Sequence, residues 1–300
     1  MAPENKSAAL ALSRILGCQP DSLPTLPGAA QEVARLTSGS DSHVDELVQV
    51  LKRDPPLAAR VLQLANSPLF RTLQPVTSLD RAVMVLGFET LRNLTMGLAI
   101  LSSLGSASAL KRRILRARLW KHSLIVAVFT EVIARDFLNL GRGHYTLGLL
   151  HDLGKVALDA FRSADVDKVL AIIERQRLPW PLAEAEVLRF DHGFVGQQLL
   201  LFWDLPEDMA EAVAYHHQPW RADEHQDMAS AVFLADLLAK RMGHHCFDPE
   251  AQAEIDLAQA PEALDFMKAR GWNLAEIEET HGKKALEETQ QWAASLGKSD

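Results

Sequence analysis

A histidine followed directly by an aspartate, His151-Asp152, ends an apolar run near the middle of the chain and is the pair best suited to chemistry. An imidazole nitrogen and a carboxylate oxygen together suit Zn, Mn or Fe better than Ca. Neighbouring residues of a helix point about 100° apart, so the two side chains could occupy different positions around one ion or join two ions. The pair alone also fits a core histidine that is hydrogen-bonded to its neighbour.

Further potential ligands lie on or beside apolar helical segments. A polar side chain on a buried face costs free energy unless something pairs with it. Seven side chains of types that bind metals are spread over five predicted helices. One metal centre explains them more simply than seven separate pairings. The predicted metal centre consists of His122, His151, Asp152, His192, His216, His217 and Asp236. The other histidines lie in loops or polar segments and are left out of the site: His43, His144, His225, His244, His245 and His281.

These side chains are enough for one ion or for two ions about 3.5–4 Å apart, with Asp152 as the bridge. The metal is expected to be Fe, Mn, Zn or Ni. His216 and His217 are expected to point apart along one helix and to serve opposite sides of the site. The alternative is a vestigial site, in which the same residues are hydrogen-bonded to one another around at most one weakly held ion.

The elements that position these residues are all predicted to be helical. Apolar residues recur at helical spacing, Asp54, Ser78 and Asp191 are placed to cap helices, and no alternating β-type run occurs. The sequence predicts that residues 178–181 interrupt the helical pattern, that 182–188 form a helix and that 209–217 form another. A helix, Gly87 and a second helix outline a DNA-reading motif, but the second helix carries too few donors for phosphates and bases. An ordinary helix pair is therefore predicted.

Composition narrows the function classes. The net charge of −8 argues against broad nucleic-acid binding. Cys18 and Cys246 form no disulfide framework, which predicts a reducing, cytoplasmic location. No apolar run is long enough for a membrane span. Arg14 interrupts the apolar start, so an amphipathic helix is predicted there rather than a lipoprotein signal.

The chain is long enough for two modest domains. A small-residue linker at 105–108 is predicted to separate an N-terminal bundle from a second helical domain. A basic segment, 111–118, opens that second domain, as a solvated helix face or as a phosphate-binding patch. The proposed divisions are an extension at 1–22, a bundle at 23–108, a second domain at 109–245 and an acidic helical appendage at 246–300.

The order His, His-Asp, Asp resembles the HD superfamily of metal-dependent phosphohydrolases. Seven ordered motifs make the chain similar to the HDOD family in particular: 23–27, 54–62, 65–67, 78–87, 191–196, 203–206 and 216–219. The resemblance covers roughly residues 23–239. It implies an N-terminal helical bundle packed on a degenerate HD-type helical domain. It also implies bacterial signal transduction, in which such domains are mostly regarded as regulatory or scaffolding units without demonstrated catalysis. The partners of this chain are therefore expected to be signalling proteins.

Two features of the sequence bear on catalysis: a motif that differs from that of the related HD-GYP phosphodiesterases, and a lysine that matches active HD enzymes. The HD-GYP phosphodiesterases, which the chain resembles at its His-Asp and His-His positions, carry Gly-Tyr-Pro soon after the paired histidines. This chain has Gln218-Pro219-Trp220 instead, which argues against cyclic dinucleotide hydrolysis. Lys155 stands where the resemblance implies a phosphate-facing lysine of active HD enzymes; otherwise it is a solvated cation at a helix end. A regulatory protein and a metal-dependent phosphohydrolase acting on a nucleotide or phosphodiester both remain open.

Overall fold

A computed structural model describes residues 3–23, 28–35, 44–66, 76–88, 91–92, 95, 110–141, 144–246 and 261–296. Within these residues the regular secondary structure is helical throughout and contains no β-strand. The all-α prediction is therefore confirmed. No helix among the described residues combines the length and the apolarity needed to cross a bilayer.

The described N-terminal region contains five helices whose apolar faces meet in a common core. They are α1 (Pro3–Leu16), α2 (Gly28–Arg35), α3 (Val44–Lys52), α4 (Pro55–Ala65) and α5 (Leu79–Leu86). Helices α2 to α5 pack in sequence on one another, whereas α1 packs on a later helix of the chain, α11, described below. Most of the second helix of the supposed DNA-reading pair, and the linker predicted at 105–108, lie outside the described residues.

Two predicted caps in this region are confirmed. Asp54 accepts a hydrogen bond from the backbone N–H of Leu57 at 3.1 Å, and Ser78 accepts one from Arg81 at 3.2 Å. Each supplies an acceptor for a helix N–H that has no partner within its own helix. Gly87 ends α5 with φ 77° and ψ 157°, so it has the positive φ that favours glycine, with a ψ outside the left-handed helical region.

Eight helices form the second region. They are α6 (Leu110–Val132), α7 (Tyr145–Leu150), α8 (Leu153–Phe161), α9 (Ser163–Gln176), α10 (Trp180–Leu188), α11 (His192–Phe202), α12 (Glu207–Ala214) and α13 (Gln226–Arg241). Helix α6 packs against α7 and α13, and α11 packs against α8 and α12. The structure describes the helical backbone of the basic segment 111–118 but not most of its cationic side chains.

Two predicted boundaries in this region are wrong. The predicted break at 178–181 contains the start of α10, because Pro181 occupies the first turn of a helix, where a missing N–H costs nothing. The helix predicted at 209–217 ends at Ala214, and Tyr215, His216 and His217 form a turn. Helical periodicity continued through the two histidines, but it does not determine where a helix gives way to a turn.

The described C-terminal helices pack back on the rest of the molecule. They are α14 (Pro261–Ala269), α15 (Leu274–Ile277) and α16 (Lys283–Leu296). Helix α16 contacts both α4 and α6. Lys284 forms an ion pair with Asp136 at 2.6 Å, and Arg241 pairs with Glu278 at 2.8 Å. The domain divisions themselves stay predictions, since the predicted linker is not among the described residues.

Candidate metal centre

The His-Asp pair lies at the junction of two helices rather than inside one. Helix α7 ends at Leu150. His151 occupies its C-cap position, and Asp152 occupies the N-cap position of α8. The carboxylate of Glu131 on α6 fixes the other end of α7, because it accepts from the backbone N–H groups of His144 and Tyr145 at 2.8 and 3.0 Å. A six-residue helix anchored in this way holds the junction in the core.

Glycines allow the helices around this junction to approach closely. A Cβ on Gly148 would lie 2.8 Å from the Cα of Ala127 on α6, and one on Gly154 would lie 2.8 Å from the carbonyl carbon of His192 on α11. A Cβ on Gly193 would lie 2.7 Å from the carbonyl oxygen that ends α12. Each distance is shorter than an ordinary van der Waals contact, so these three crossings require glycine.

Four of the predicted histidines use the Nδ1 atom in the same way. Each Nδ1 lies at hydrogen-bond distance from an oxygen that can only accept, so each Nδ1 must carry a proton. The pairs are His122 with the His244 carbonyl at 2.8 Å, His151 with Gly148 at 2.7 Å, His216 with Val213 at 2.6 Å, and His192 with the Glu184 carboxylate at 2.6 Å. In the neutral ring, each Nε2 is therefore a lone-pair donor.

The four Nε2 atoms converge on two aspartates. Asp152 Oδ1 lies 3.1 Å from His192 Nε2 and 3.9 Å from His216 Nε2. Its other oxygen, Oδ2, lies 3.3 Å from His151 Nε2 and 3.9 Å from His122 Nε2. Asp152 thus turns one oxygen to each pair of imidazoles, which is the arrangement expected of a bridging carboxylate.

Asp236, on α13, completes the side of the site that contains His122. Its Oδ1 lies 3.0 Å from His122 Nε2, and both atoms are buried without a hydrogen bond from the described residues. His151 Nε2 is in the same condition. An imidazole lone pair that faces a carboxylate oxygen across 3 Å is unfavourable unless a proton or a cation lies between them.

The donor atoms fall into two main groups, and Asp152 lies between them. One contains His192, His216 and His217, and another contains His122, His151 and Asp236; within each group the potential ligand atoms lie within 4.8 Å of one another. His217 Nε2 lies 2.9 Å from His192 Nε2 and His216 Nε2 lies 3.4 Å from it. Both histidines belong to a turn that faces His192, and His216 also groups with His151 and Asp152, so the expectation that they serve opposite sides stays a prediction.

Electrostatics within the site follow from burial and from the aspartates. Burial lowers the pKa of His122 and lowers that of His216 well below its usual value. Burial alone would raise the pKa of Asp152, but His151 and Lys155 hold it well below its usual range. Burial would likewise lower the pKa of His192, but Glu184 and Asp152 raise it to about 9. The site thus combines an ionised Asp152 with neutral His122 and His216, the protonation states that metals bind, whereas His192 carries a second proton at neutral pH that a bound ion would have to displace.

Lys155 is a buried ion-pair partner of Asp152 rather than a solvated helix-end cation. It is 5% exposed, and its ammonium lies 2.8 Å from Asp152. The phosphate-facing role stays a prediction. The ammonium also lies 5.0 Å from the centroid of the Trp180 ring. Lys155 and Trp180 line a depression whose other walls are mainly aliphatic. Lys240 makes the corresponding ion pair with Asp236 at 2.5 Å.

The structure brings together all seven predicted residues and adds two that the sequence interpretation missed. Glu184, 2% exposed, accepts from His192 Nδ1, from the His192 backbone at 2.8 Å and from Trp180 Nε1 at 2.6 Å. Cys246, 3% exposed, belongs with His122 and Asp152 to a further group of potential ligands. A carboxylate on the buried face of a largely apolar helix was the available signal for Glu184. Cys246 gave no signal, because it follows a polar loop.

Comparison with known proteins gives the family. The HDOD domain family matches residues 23–219, and the chain therefore belongs to the HDOD family. A protein of Treponema pallidum (strain Nichols), described as uncharacterized, is 25% identical over 221 residues, covering 72% of this chain and 42% of that protein. The chain thus spans about two fifths of the length of this curated relative.

Solved structures share the fold over nearly the whole chain. An HDOD domain protein of unknown function from Geobacter sulfurreducens is 26% identical, with a TM-score of 0.70 and coverage of 95% of this chain and 99% of that one. A Shewanella amazonensis SB2B protein provisionally described as a phosphohydrolase is 24% identical, with a TM-score of 0.69 and coverage of 95% and 98%. A Marinobacter aquaeolei VT8 protein provisionally described as a signal transduction protein is 22% identical, with a TM-score of 0.70 and coverage of 98% and 66%.

Proposed function

We propose that this chain is a regulatory module of bacterial signal transduction that binds signalling proteins through its helical surface and holds one or two divalent transition-metal ions in its core. The observation that carries the metal part is the set of four histidines whose Nδ1 atoms are committed to acceptors while their Nε2 atoms face two ionised aspartates. Fe, Mn, Zn and Ni all accept such a mixture of imidazole and carboxylate ligands.

The seven predicted residues would hold the metal. The turn after α12 and the first residue of α11 supply one group of imidazoles; α6, the α7–α8 junction and α13 supply the other. Asp152 lies between the groups and fits the role of a bridge. A bound ion would act as a Lewis acid and would lower the pKa of a coordinated water.

Enclosure of the site supports regulation over catalysis. His122, His151, Asp152, His192 and His216 are each at most 1% exposed. Lys155, the residue expected to hold phosphate, is instead paired with Asp152, and the depression beside it is mainly aliphatic. A phosphoester would have to displace this ion pair and enter a space lined by aliphatic side chains and by the acidic Asp159, which costs free energy.

Phosphohydrolase activity on a nucleotide or phosphodiester is the second candidate, and one observation favours it. Asp152 directs one oxygen to each group of imidazoles, as a carboxylate that bridges two catalytic ions does. In that case Lys155 would exchange Asp152 for a substrate phosphate, and partly exposed His217 would lie on the side that substrate enters.

Elemental analysis and partner capture test the proposal. Wild-type protein purified without chelator is expected to contain Fe, Mn, Zn or Ni, His151→Ala and Asp152→Ala to lose it, and His225→Ala to retain it. His225 is a matched control, because it directly precedes α13 and its Nε2 lies 3.8 Å from Glu211, outside the site. Metal-free wild type that cannot be reloaded would refute the metal centre.

The regulatory role needs a separate readout. Protein isolated from the native host is expected to carry signalling proteins reproducibly and to leave a panel of phosphoesters intact. Turnover of a phosphoester that disappears in Asp152→Ala, together with no reproducible partner, would reverse the ranking of the two functions.

A further inference from the structure

We infer that Cys246 is a thiolate ligand of an ion on the His122 side of the centre, an inference that rests on the proposed metal site. The Cys246 Sγ, an imidazole nitrogen of His122 and a carboxylate oxygen of Asp152 lie within 4.8 Å of one another. Cys246 is 3% exposed and its thiol is free. The Cys246 sulfur thus lies in the same buried space as a nitrogen of His122 and an oxygen of Asp152.

The segment that carries Cys246 is built into the site. The backbone N–H of His244 donates to the carbonyl of Ala239 near the end of α13, at 2.9 Å. The carbonyl of the same His244 accepts from His122 Nδ1 at 2.8 Å. Gly243, with φ 86°, provides the turn that brings the segment back over the site. One short segment therefore orients the His122 ring and places the thiol beside it.

A second atom indicates that this space holds a cation. His122 is 1% exposed, and its Nε2 has no hydrogen bond from the described residues. Since Nδ1 carries the proton, Nε2 is the nitrogen of His122 that can bind an ion, and it lies 3.9 Å from Asp152, which belongs to the same group as Cys246. A divalent ion bound there would be ligated by Nε2 and by sulfur, with the thiol proton released to solvent as the metal–sulfur bond forms.

Thiolate ligation changes the metal that the site prefers. Sulfur is a softer donor than carboxylate or water, so a site with Cys246 among its ligands selects Zn or Fe over Mn. The five histidines and two aspartates alone would discriminate less between these metals. Cys246 lies at the first residue of the appendage proposed from the sequence, so this ligand would also tie the centre to the chain that leads to α14.

Cobalt provides a direct spectroscopic test, because Co²⁺ bound to a thiolate gives an intense sulfur-to-cobalt charge-transfer band in the near ultraviolet. The metal-stripped full chain is titrated with Co²⁺. The chain has two cysteines, so in Cys18→Ser the only thiol is Cys246. Wild type and Cys18→Ser are expected to show the band. Cys246→Ser is expected to lack it and to bind Co²⁺ at least ~10-fold more weakly, as loss of supporting groups at metal sites commonly does.

The outcomes separate this inference from the proposed function. Stoichiometric Co²⁺ binding by Cys18→Ser without the band would overturn the role of Cys246 and leave the metal centre standing. A band that persists in folded Cys246→Ser would also overturn it. Failure of wild type to bind Co²⁺ or Zn²⁺ would overturn both proposals. If Cys246→Ser does not fold, the spectrum of Cys18→Ser still decides, because that protein contains a single thiol.

Discussion

Replacing Gly154 by alanine should disrupt both the fold and the metal centre. A Cβ at this position would lie 2.8 Å from the carbonyl carbon of His192, closer still to its oxygen, and 3.0 Å from the backbone nitrogen of Gly196. Ordinary contacts begin near 3.4 Å, so α8 and α11 would have to separate by more than about half an ångström. Forced separation of packed backbones costs about 3 kcal/mol, the upper part of the range for overpacked cores.

For a chain of this size, about 3 kcal/mol corresponds to a fall in Tm of roughly 6–12 °C. Because His192 Nε2 lies 3.1 Å from Asp152, the same displacement should lower the metal content of the purified protein. Circular dichroism against temperature and elemental analysis measure the two effects. Gly28→Ala is the matched control, since a Cβ there has no neighbour within 4 Å. Wild-type Tm and full metal content in Gly154→Ala would refute the close-packing argument.

Three further changes test other parts of the molecule. Glu184→Gln keeps the shape but removes the charge that orients His192, so metal affinity should fall about 10- to 100-fold in a titration of stripped protein; unchanged affinity would contradict a positioning role. Asn66→Ala removes three hydrogen bonds between its side chain and the backbone and should cost about 2 kcal/mol in urea unfolding; an unchanged midpoint would argue against it. The hydrogen bond from Arg135 holds the pKa of Asp136 below its usual range. The stability it contributes is present above the unfolded pKa of about 3.9 and is lost as pH falls, so Asp136→Asn should show a shallower drop in Tm between about pH 5 and 3 than wild type.

The sequence was sufficient for the fold class and for the seven residues that the structure brings together around Asp152. Helical spacing of apolar residues identifies buried faces, and a polar group on such a face must be paired, so His122 and Asp236 could be recognised without coordinates. The caps formed by Asp54 and Asp191 were also predictable, because capping is a local interaction; Asp191 accepts from the N–H of Phe194 at 3.0 Å.

What the sequence did not predict depends on tertiary packing. The turn that carries His216 and His217 interrupts a continuous helical pattern, at the point where Gly193 of α11 approaches the last carbonyl of α12. The ion pair of Lys155 with Asp152 depends on how far α8 is buried, which local spacing does not determine. Cys246 reaches the site only because Gly243 reverses the chain after α13. These features require knowledge of how the helices cross.

Burial of the proposed centre suggests how a metal could regulate without catalysis. The potential ligands come from α6, the α7–α8 junction, α11, the turn after α12, and α13, so one or two ions would join most of the second helical region. A ligand that binds only the folded state stabilises it by about 4 kcal/mol when present at 1,000 times its Kd. Under the proposed function, metal occupancy would then change how rigidly these helices are held, and with it the surface that a partner would contact. Stabilisation of the helices by a bound metal needs no path for a substrate into the enclosed site, whereas hydrolysis does.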